Sequence, residues 1–213
     1  MRVRPVSPAR LVDEVAELLA ARGPDRWLRV AVDGASATAP ERLAEALVDP
    51  LRTRGRAARH VPAAGFLRPA SLRWEFGRTN PDTFYEGWLD EAGLRREVLD
   101  PLGPAGAGRV LPSLWDARID RASRADYVEL PPGAVVLVSG AFLLGGGLPF
   151  DVAVHLSSSG PALARRTPAE LHWTLPAFAR YEAEVDPGSF ADVVVRVDDP
   201  RRPAMVDRFA DSR

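Results

Sequence analysis

Residues 30–47 read VAVDGASATAPERLAEAL and contain the most informative pattern in the chain. Residues 27–33 are short and mostly apolar, which predicts a strand buried on both faces of a parallel sheet. A turn of small residues follows, and a helix is predicted from Pro40 to about Arg54, where Gly55 ends it. A buried strand that leads through a tight turn into a helix is the repeating unit of α/β proteins.

The turn can be compared with the phosphate-binding loop pattern G-x-x-x-x-G-K-[ST]. Started at Gly34, that pattern requires Gly, Lys and Ser or Thr where this chain has Ala39, Pro40 and Glu41. Pro40 has no N–H to donate to a phosphate, and the Glu41 carboxylate would repel one. Thr38 and Glu41 have the S/T-x-x-E spacing of a capping box, which predicts that the protein's own side chains satisfy the helix N-terminus.

Two interpretations of this turn stay open. It is either an ordinary strand-to-helix turn before a well-capped helix, or a reduced site for an anion or a nucleotide. In the second interpretation the phosphate-binding residues are Gly34, Ala35, Ser36, Ala37, Thr38 and Glu41. Asp33, at the end of the strand, would either hydrogen-bond loop amides or act as an acid or base.

The same kind of pattern continues along the chain. Ser7 and Pro8 predict the start of a helix of about four turns. Further strands are predicted at 56–63, 134–139, 150–156 and 191–197, and further helices at 82–89, 91–99, 161–166 and 170–184. Residues 65–81 are a predicted loop, and 109–114 and 125–130 are a candidate strand pair outside the main sheet. Strands that alternate with helices predict a three-layer α/β sandwich with a mostly parallel sheet.

Composition narrows the class of protein. The chain has 213 residues, a net charge of -1 and no basic stripe, so we do not expect nucleic acid as a partner. It has no cysteine, no apolar run of membrane-spanning length and no signal-peptide core, so we expect a cytoplasmic protein without a membrane partner. All 28 basic residues are arginine, so no lysine can hold a phosphate. His60, His155 and His172 lack metal-ligand spacing; the first two lie on predicted strands, as structural histidines do.

Three segments resemble the sequence of one known family. Residues 65–109, GFLRPASLRWEFGRTNPDTFYEGWLDEAGLRREVLDPLGPAGAGR, resemble the segment after the second strand of uridine kinase-like P-loop kinases, the relatives of phosphoribulokinase. Residues 131–144, PPGAVVLVSGAFLL, are similar to a later strand and turn of that family, and residues 175–203 to its closing helix and strand. The matching residues of the first segment are Phe66, Arg68, Pro69, Arg73, Arg78, Phe84, Tyr85, Leu94, Leu99, Pro101 and Leu102.

This resemblance covers about residues 5–205 and implies a fold of the P-loop nucleoside triphosphate hydrolase and kinase type. It implies a single domain over residues 1–213, with an acceptor-side loop and hairpin excursion at about 64–130 and a shortened lid at about 160–175. The lid keeps Arg165 and Arg166 as candidates. The substrate-binding residues that the resemblance implies are Phe66, Arg68, Arg73, Arg78, Tyr85, Asp116 and Arg118.

The chain departs from the family where the chemistry should lie. Ala64 stands where the resemblance implies an acidic general base, Leu67 where it implies a histidine, and Ser139 where it implies the acid that orients the metal. With the altered phosphate loop, these changes leave phosphoryl transfer without its cation, base and metal ligand.

Three functional hypotheses follow. The first is a uridine kinase-like protein with a degenerate phosphate loop, either a pseudokinase or a repurposed binder of a nucleoside or anionic metabolite, with no certain cofactor and no metal. The second is an active nucleoside or sugar phosphotransferase that uses ATP and Mg²⁺, in which Arg165 and Arg166 replace the lysine and Asp33 or Asp116 is the base. The third is a non-catalytic interaction module, as a homodimer or with another partner. Its candidate anchors are Trp27, Trp74 and Trp88.

Overall fold

The computed structural model describes residues 2–207 and contains a central seven-stranded sheet. Its strands are β1 (Arg2–Pro5), β2 (Leu28–Gly34), β3 (Ala58–Pro62), β8 (Val135–Gly140), β9 (Val152–Ser157), β10 (Val193–Arg196) and β11 (Ala204–Asp207). Four two-residue strands lie outside it: β4 (Arg109–Val110), β5 (Trp115–Asp116), β6 (Arg121–Ala122) and β7 (Val128–Glu129). The spatial order in the sheet is β1-β11-β10-β9-β2-β8-β3.

The five neighbouring strands from β10 to β3, of which β3 is the edge strand, are parallel, as the apolar runs predict. They are buried on both faces because helices cover both sides. On one face, Val32 and Leu137 pack with Leu19 and Leu47 of the first two long helices. The opposite face packs against the excursion and the C-terminal helices. The three-layer α/β prediction is confirmed.

The helices are α1 (Pro8–Ala21), α2 (Pro40–Thr53), α3 (Ala70–Arg73), α4 (Pro81–Gly87), α5 (Glu91–Leu94), α6 (Gly160–Arg166), α7 (Leu175–Val185) and α8 (Pro187–Phe190). Ser7 caps α1, and its hydroxyl accepts a hydrogen bond from the Arg10 N–H, as predicted. A π-helical turn, Arg95–Leu99, continues α5. The helix predicted at 170–184 is split into a 3-10 helix, Ala169–Thr174, and α7. Among the helices of residues 2–207, none is long and apolar enough to span a membrane.

Three parts of the fold were not predicted. β1 and β11 pair with each other in antiparallel fashion at the edge of the sheet, and their four-residue lengths carry too little pattern to be recognised. The predicted loop 65–81 contains α3. In the excursion, β4 pairs with β7, within the candidate strand pair, and β5 pairs with β6 as an additional hairpin.

The topology defines where a ligand is expected. β2 lies between β9 and β8 in the sheet. After β2 the chain passes β8 to reach β3, and after β8 it passes β2 to reach β9. The two connections therefore run in opposite directions from the carboxyl ends of neighbouring strands. In open α/β sheets, ligands bind in the crevice at such a switch point.

Candidate functional site

Two backbone N–H groups of the loop between β2 and α2 donate hydrogen bonds within the loop itself. It forms one turn of 3-10 helix, in which the Thr38 N–H donates to the Ala35 carbonyl at 2.7 Å and the Ala39 N–H donates to the Ser36 carbonyl at 3.0 Å. Pro40 comes next, at the first position of α2, and has no N–H. Three consecutive backbone positions therefore offer no hydrogen to an anion outside the loop.

The predicted capping box is wrong. The Thr38 hydroxyl donates to the Ala35 carbonyl at 2.7 Å and does not reach α2. The N-cap of α2 is Ala39, which has a left-handed backbone with φ of 60° and a methyl group that cannot accept a hydrogen bond. The left-handed residue separates the 3-10 turn from the helix, so Thr38 and Glu41 belong to different local structures.

Gly34 brings this loop against the neighbouring strand. A Cβ atom at Gly34 would lie 2.5 Å from the Thr38 hydroxyl oxygen and 3.0 Å from the Cβ of Leu156 on β9. Contacts this short mean that a side chain at this position would force its neighbours to shift. The loop is therefore packed directly on the end of β9.

Asp33 is the centre of a buried hydrogen-bond cluster at the end of β2. Its carboxylate is fully buried and accepts from the Leu143 N–H at 3.0 Å, from the His155 ring at 2.7 Å through Nδ1, and from the Tyr181 hydroxyl at 3.2 Å. Asp33 and His155 are also cross-strand partners in the β2–β9 register. The amide that Asp33 binds belongs to the segment after β8 and not to the loop after β2.

His155 has one satisfied and one unsatisfied ring nitrogen. The side chain is 3% exposed, and Nε2 has no hydrogen-bond partner among the described residues. The nearest carboxylate oxygen to Nε2 is that of Glu182 on α7, 3.5 Å away, on a side chain that is 53% exposed. The prediction of a structural histidine therefore holds for Nδ1 and fails for Nε2.

The charge state of this cluster follows from its surroundings. Burial lowers the pKa of His155, but the hydrogen bond with Asp33 and the contact with Glu182 outweigh burial and raise that pKa to about 9. Burial, followed by the charge of Asp33, raises the pKa of Tyr181, so its hydroxyl stays protonated and donates. At neutral pH His155 is an imidazolium that donates from Nδ1 to Asp33, and its Nε2–H lies within ion-pair range of Glu182 without a hydrogen bond.

His155 lines a cavity of about 610 Å³ at the carboxyl ends of β2 and β9, which we call the β2–β9 cavity. The cavity lies between the loop after β2, α6 and α7. Its lining is mostly apolar, and among the described residues that line it none is an arginine. The lining residues are Gly34, Ala35, Thr38, Phe142, His155, Leu156, Ser158, Gly160, Leu163, His172, Leu175, Pro176, Phe178, Ala179, Tyr181 and Glu182.

Ser139, which stands where the resemblance implies a metal-orienting acid, is fully buried on β8. Its Oγ lies 2.7 Å from Nε2 of His60 on β3. Burial lowers the pKa of His60, which keeps the ring neutral. Ser139 does not line the β2–β9 cavity.

The predicted substrate-binding residues do not surround one pocket. Phe66 is fully buried in the core. Arg73 is 4% exposed, donates from Nε to the Arg68 carbonyl at 2.7 Å, and lies 5.1 Å from the ring centres of both Trp74 and Trp88. The guanidinium is therefore held between two aromatic rings, which is a strong packing arrangement for arginine.

The remaining members of this set are dispersed. Arg68 is exposed, and Arg78 stacks on Trp74 at 4.4 Å. Asp116 accepts from the Arg118 N–H at 2.9 Å and from its guanidinium, and these bonds lower the pKa of Asp116. Both residues line a separate depression in the β5–β6 hairpin that shares no residue with the β2–β9 cavity. Asp33 and Asp116, the two candidate bases, therefore belong to different sites.

Tyr85 belongs to an aromatic cluster between α4 and α7. Phe142 is at its centre, with its ring 4.9 Å from Phe178 and 5.1 Å from Tyr85. The other members are Phe84, Trp88, Trp173 and Tyr181. Arg180 of α7 stacks on Tyr85 at 4.9 Å, and its guanidinium pairs with the carboxylates of Asp82, Glu86 and Glu184. The cluster joins the acceptor-side excursion to the C-terminal helices.

The two lid arginines lie outside the cavity. Arg166 donates to the Val197 carbonyl beyond β10, and Arg165 is exposed. His172 lines the cavity, and its Nε2 lies 3.0 Å from the Thr167 carbonyl. The sequence signal for the unpredicted residues Tyr181 and Glu182 was weak because both occur in an ordinary amphipathic helix.

The structure resembles solved small-molecule kinases. A protein described as a possible uridine kinase from Bacillus stearothermophilus has a TM-score of 0.71 at 19% identity, over 87% of this chain and 97% of that one. A protein assigned as a fructose transport system kinase from Silicibacter sp. TM1040 has a TM-score of 0.56 at 25% identity, over 87% and 95%. D-glycerate 3-kinase from Cryptococcus neoformans has a TM-score of 0.54 at 15% identity, over 83% and 80%.

These likenesses confirm the resemblance at the level of the fold: the chain has the fold of uridine kinase-like P-loop kinases. No protein-family model matches the chain, and no curated protein matches it. Within residues 2–207 there is no group of three or more His, Cys, Asp or Glu side chains that could hold a metal ion.

Proposed function

We propose that this protein has kept the P-loop kinase fold without phosphoryl transfer, and that it binds a small molecule in the β2–β9 cavity. The observation that carries the proposal is the backbone of the loop after β2. A phosphate cradle needs N–H groups that converge on the anion. Here Thr38 and Ala39 donate inside the loop and Pro40 has no N–H.

The charged groups support the same proposal. Phosphoryl transfer needs a cation on the transferred phosphate, a metal and a base or positioning group. The chain has no lysine, Arg166 is engaged by the Val197 carbonyl, and Asp33 is fully buried against His155. These contacts favour the pseudokinase or repurposed binder over an active phosphotransferase that relies on Arg165, Arg166, Asp33 or Asp116.

The kinase-like neighbours support a small organic ligand. The names of the similar proteins are those of a possible uridine kinase, a fructose transport system kinase and D-glycerate 3-kinase. A volume of about 610 Å³ lies within the range of small-molecule and cofactor pockets. The interaction-module hypothesis has less support, because Trp27, Trp74 and Trp88 are all half-buried.

The test is a thermal-shift titration with MgATP, together with an assay of ATP consumption in the presence of uridine, fructose and D-glycerate. A nucleotide at 100 times its Kd would stabilise the protein by about 2.7 kcal/mol, which is roughly 5–11 °C for a domain of this size. We expect no shift with MgATP and no turnover above buffer. A large shift with turnover would contradict the proposal.

A loop variant sharpens this test. We expect the triple variant Ala39→Gly, Pro40→Lys and Glu41→Ser to gain nucleotide binding at most and no turnover, because Asp33 and Ser139 remain engaged by His155 and His60. The single variant Glu41→Ser is the matched control, since it removes only the repelling carboxylate. Full kinase activity of the triple variant would show that the phosphate loop is the only catalytic element that the chain lacks.

A further inference from the structure

Deepening the proposed function, on which this inference rests, we infer that the β2–β9 cavity takes an apolar organic monoacid whose carboxylate accepts a hydrogen bond from Nε2 of His155. The remainder of such a ligand would lie against the apolar lining contributed by α6 and α7. Among the substrates in the reported neighbours' names, D-glycerate is an organic monoacid but is not apolar.

Nε2 of His155 is buried, makes no hydrogen bond among the described residues, and lies 3.5 Å from the Glu182 carboxylate. The His155 side chain is 3% exposed, is fixed from behind by Asp33 at 2.7 Å, and belongs to the lining of the cavity. A buried donor left unpaired costs free energy, so an acceptor supplied by a ligand would be stabilising. The ring cannot rotate toward another acceptor without breaking its bond to Asp33.

Glu182 indicates that the acceptor is a carboxylate. Its Oε1 lies 3.5 Å from Nε2, which is within ion-pair range and too long for a good hydrogen bond. The side chain is 53% exposed, so it can turn to solvent when another acceptor arrives. A ligand carboxylate would take the position next to Nε2, and Glu182 would then oppose it by like-charge repulsion.

The lining selects an apolar molecule with a single negative charge. Leu156, Leu163, Leu175 and Phe178 provide an apolar surface. The cation that the described lining offers is His155, and Asp33 already balances it from behind. A polyphosphate, with several charges to neutralise, fits this lining poorly, whereas one carboxylate gains a charge-assisted hydrogen bond.

The experiment is isothermal titration of the full chain at pH 7 with octanoate, octanamide, octyl phosphate and MgATP. We expect octanoate to bind about tenfold or more tightly than octanamide, because hydrogen bonds between charged groups are stronger than neutral ones. We expect octyl phosphate to bind more weakly than octanoate. Equal affinity for octanoate and octanamide, or no octanoate binding at millimolar concentration, would overturn the inference.

Two variants test the position of the carboxylate. Glu182→Gln keeps the size of an exposed side chain and removes its charge, so we expect octanoate to bind about threefold or more tightly. His155→Gln should weaken octanoate about tenfold or more. Because His155→Gln also leaves Asp33 unpaired and could unfold the chain, Glu182→Gln is the decisive variant. An octanoate affinity that Glu182→Gln leaves unchanged would overturn the inference.

A third variant locates binding in the cavity. Ala179 is exposed on α7 and lines the cavity, so Ala179→Trp should block it with little effect on the core. We expect loss of octanoate binding, and unchanged binding would place the ligand elsewhere and overturn the inference. The MgATP titration separates the two proposals: ATP binding with turnover contradicts the proposed function, whereas loss of the preference for octanoate contradicts only the ligand class.

Discussion

Two regions at the carboxyl ends of neighbouring strands differ in whether their donor groups are hydrogen-bonded. In the loop after β2, the Thr38 and Ala39 amides are satisfied within the loop. At the neighbouring strand end, Nε2 of His155 makes no hydrogen bond and lies 3.5 Å from the Glu182 carboxylate, in a residue that lines a cavity. Folding normally pairs every buried polar group, so an unpaired one indicates an interaction that the chain alone does not complete. The fold predicts a ligand at the loop after β2, whereas the Nε2 atom without a hydrogen bond indicates one at the end of β9.

The largest expected effect is a loss of stability when the buried hydrogen-bond cluster around Asp33 is removed. Asp33→Ala removes the carboxylate that holds His155, Tyr181 and the Leu143 amide, and should lower the free energy of unfolding by about 3–5 kcal/mol. Denaturant unfolding measures it. Asp116→Ala is the matched control, since Asp116 pairs with Arg118 on an exposed hairpin and its loss should change stability far less than Asp33→Ala does. Equal effects of the two would contradict the assigned role of Asp33.

The second effect is a pH dependence of stability. The pKa of His155 is about 9 when folded, above the value of about 6.5 expected when unfolded, so its contribution is complete below pH 6.5 and is lost as pH rises through 9. We expect the free energy of unfolding to fall by about 3 kcal/mol between pH 6.5 and 9.5. The chain has no lysine or cysteine, so few other groups titrate in this window.

The control for this pH dependence is His155→Gln. Unfolding at several pH values should give a nearly flat profile for that variant if it folds. His172→Gln, which changes an exposed histidine, should leave the wild-type slope intact. A slope that persists without His155 would assign it to another group.

The third effect tests how tightly the loop is closed. Gly34→Ala places a Cβ 2.5 Å from the Thr38 hydroxyl, so we expect a loss of about 1–3 kcal/mol in the free energy of unfolding. The double variant with Thr38→Ala removes the closest atom and should lose less than the sum of the single variants. Gly147→Ala is a useful reference because nothing lies within 4 Å of its added Cβ, although its positive φ adds strain. Additive losses would argue against the close contact.

The smallest effect concerns the aromatic cluster. Arg180 of α7 bridges to α4 through Asp82 and Glu86 and also pairs with Glu184 of its own helix, but all four side chains are partly exposed. Arg180→Gln should therefore lower the free energy of unfolding only slightly, and less at high salt. Unfolding at 50 mM and 1 M salt measures it. A large, salt-independent loss would point to the stacking on Tyr85 instead.

The sequence predicted the fold well because the fold depends on apolar periodicity. Runs such as AVVLVS and ADVVVRV gave the buried strands, and Ser7 and Pro8 gave the start of α1. The capping box failed because S/T-x-x-E spacing cannot reveal that Ala39 adopts a left-handed backbone. The edge pair of β1 and β11 was missed because each strand is only four residues long.

The site was less predictable for a different reason. Asp33 was noted in the sequence, but its partner His155 lies 122 positions away and becomes a neighbour only when β9 pairs with β2. The acceptor-side arginines matched a sequence pattern, yet their environment is set by tryptophans that hold Arg73 and Arg78. Residue type predicts what a side chain can do, whereas tertiary pairing determines whether it is free to do it.

The pairing of β1 with β11 has a consequence for how the chain can be rewired. Arg2 is opposite Asp207, so two positions at opposite ends of the described sequence are neighbours in space. A short linker between them, with a new opening at the exposed Pro104–Ala105 bond, would give a circular permutant that retains the sheet and the β2–β9 cavity. In that permutant β9 would be synthesised before β2, and the acceptor-side excursion would be divided between the two ends of the new chain.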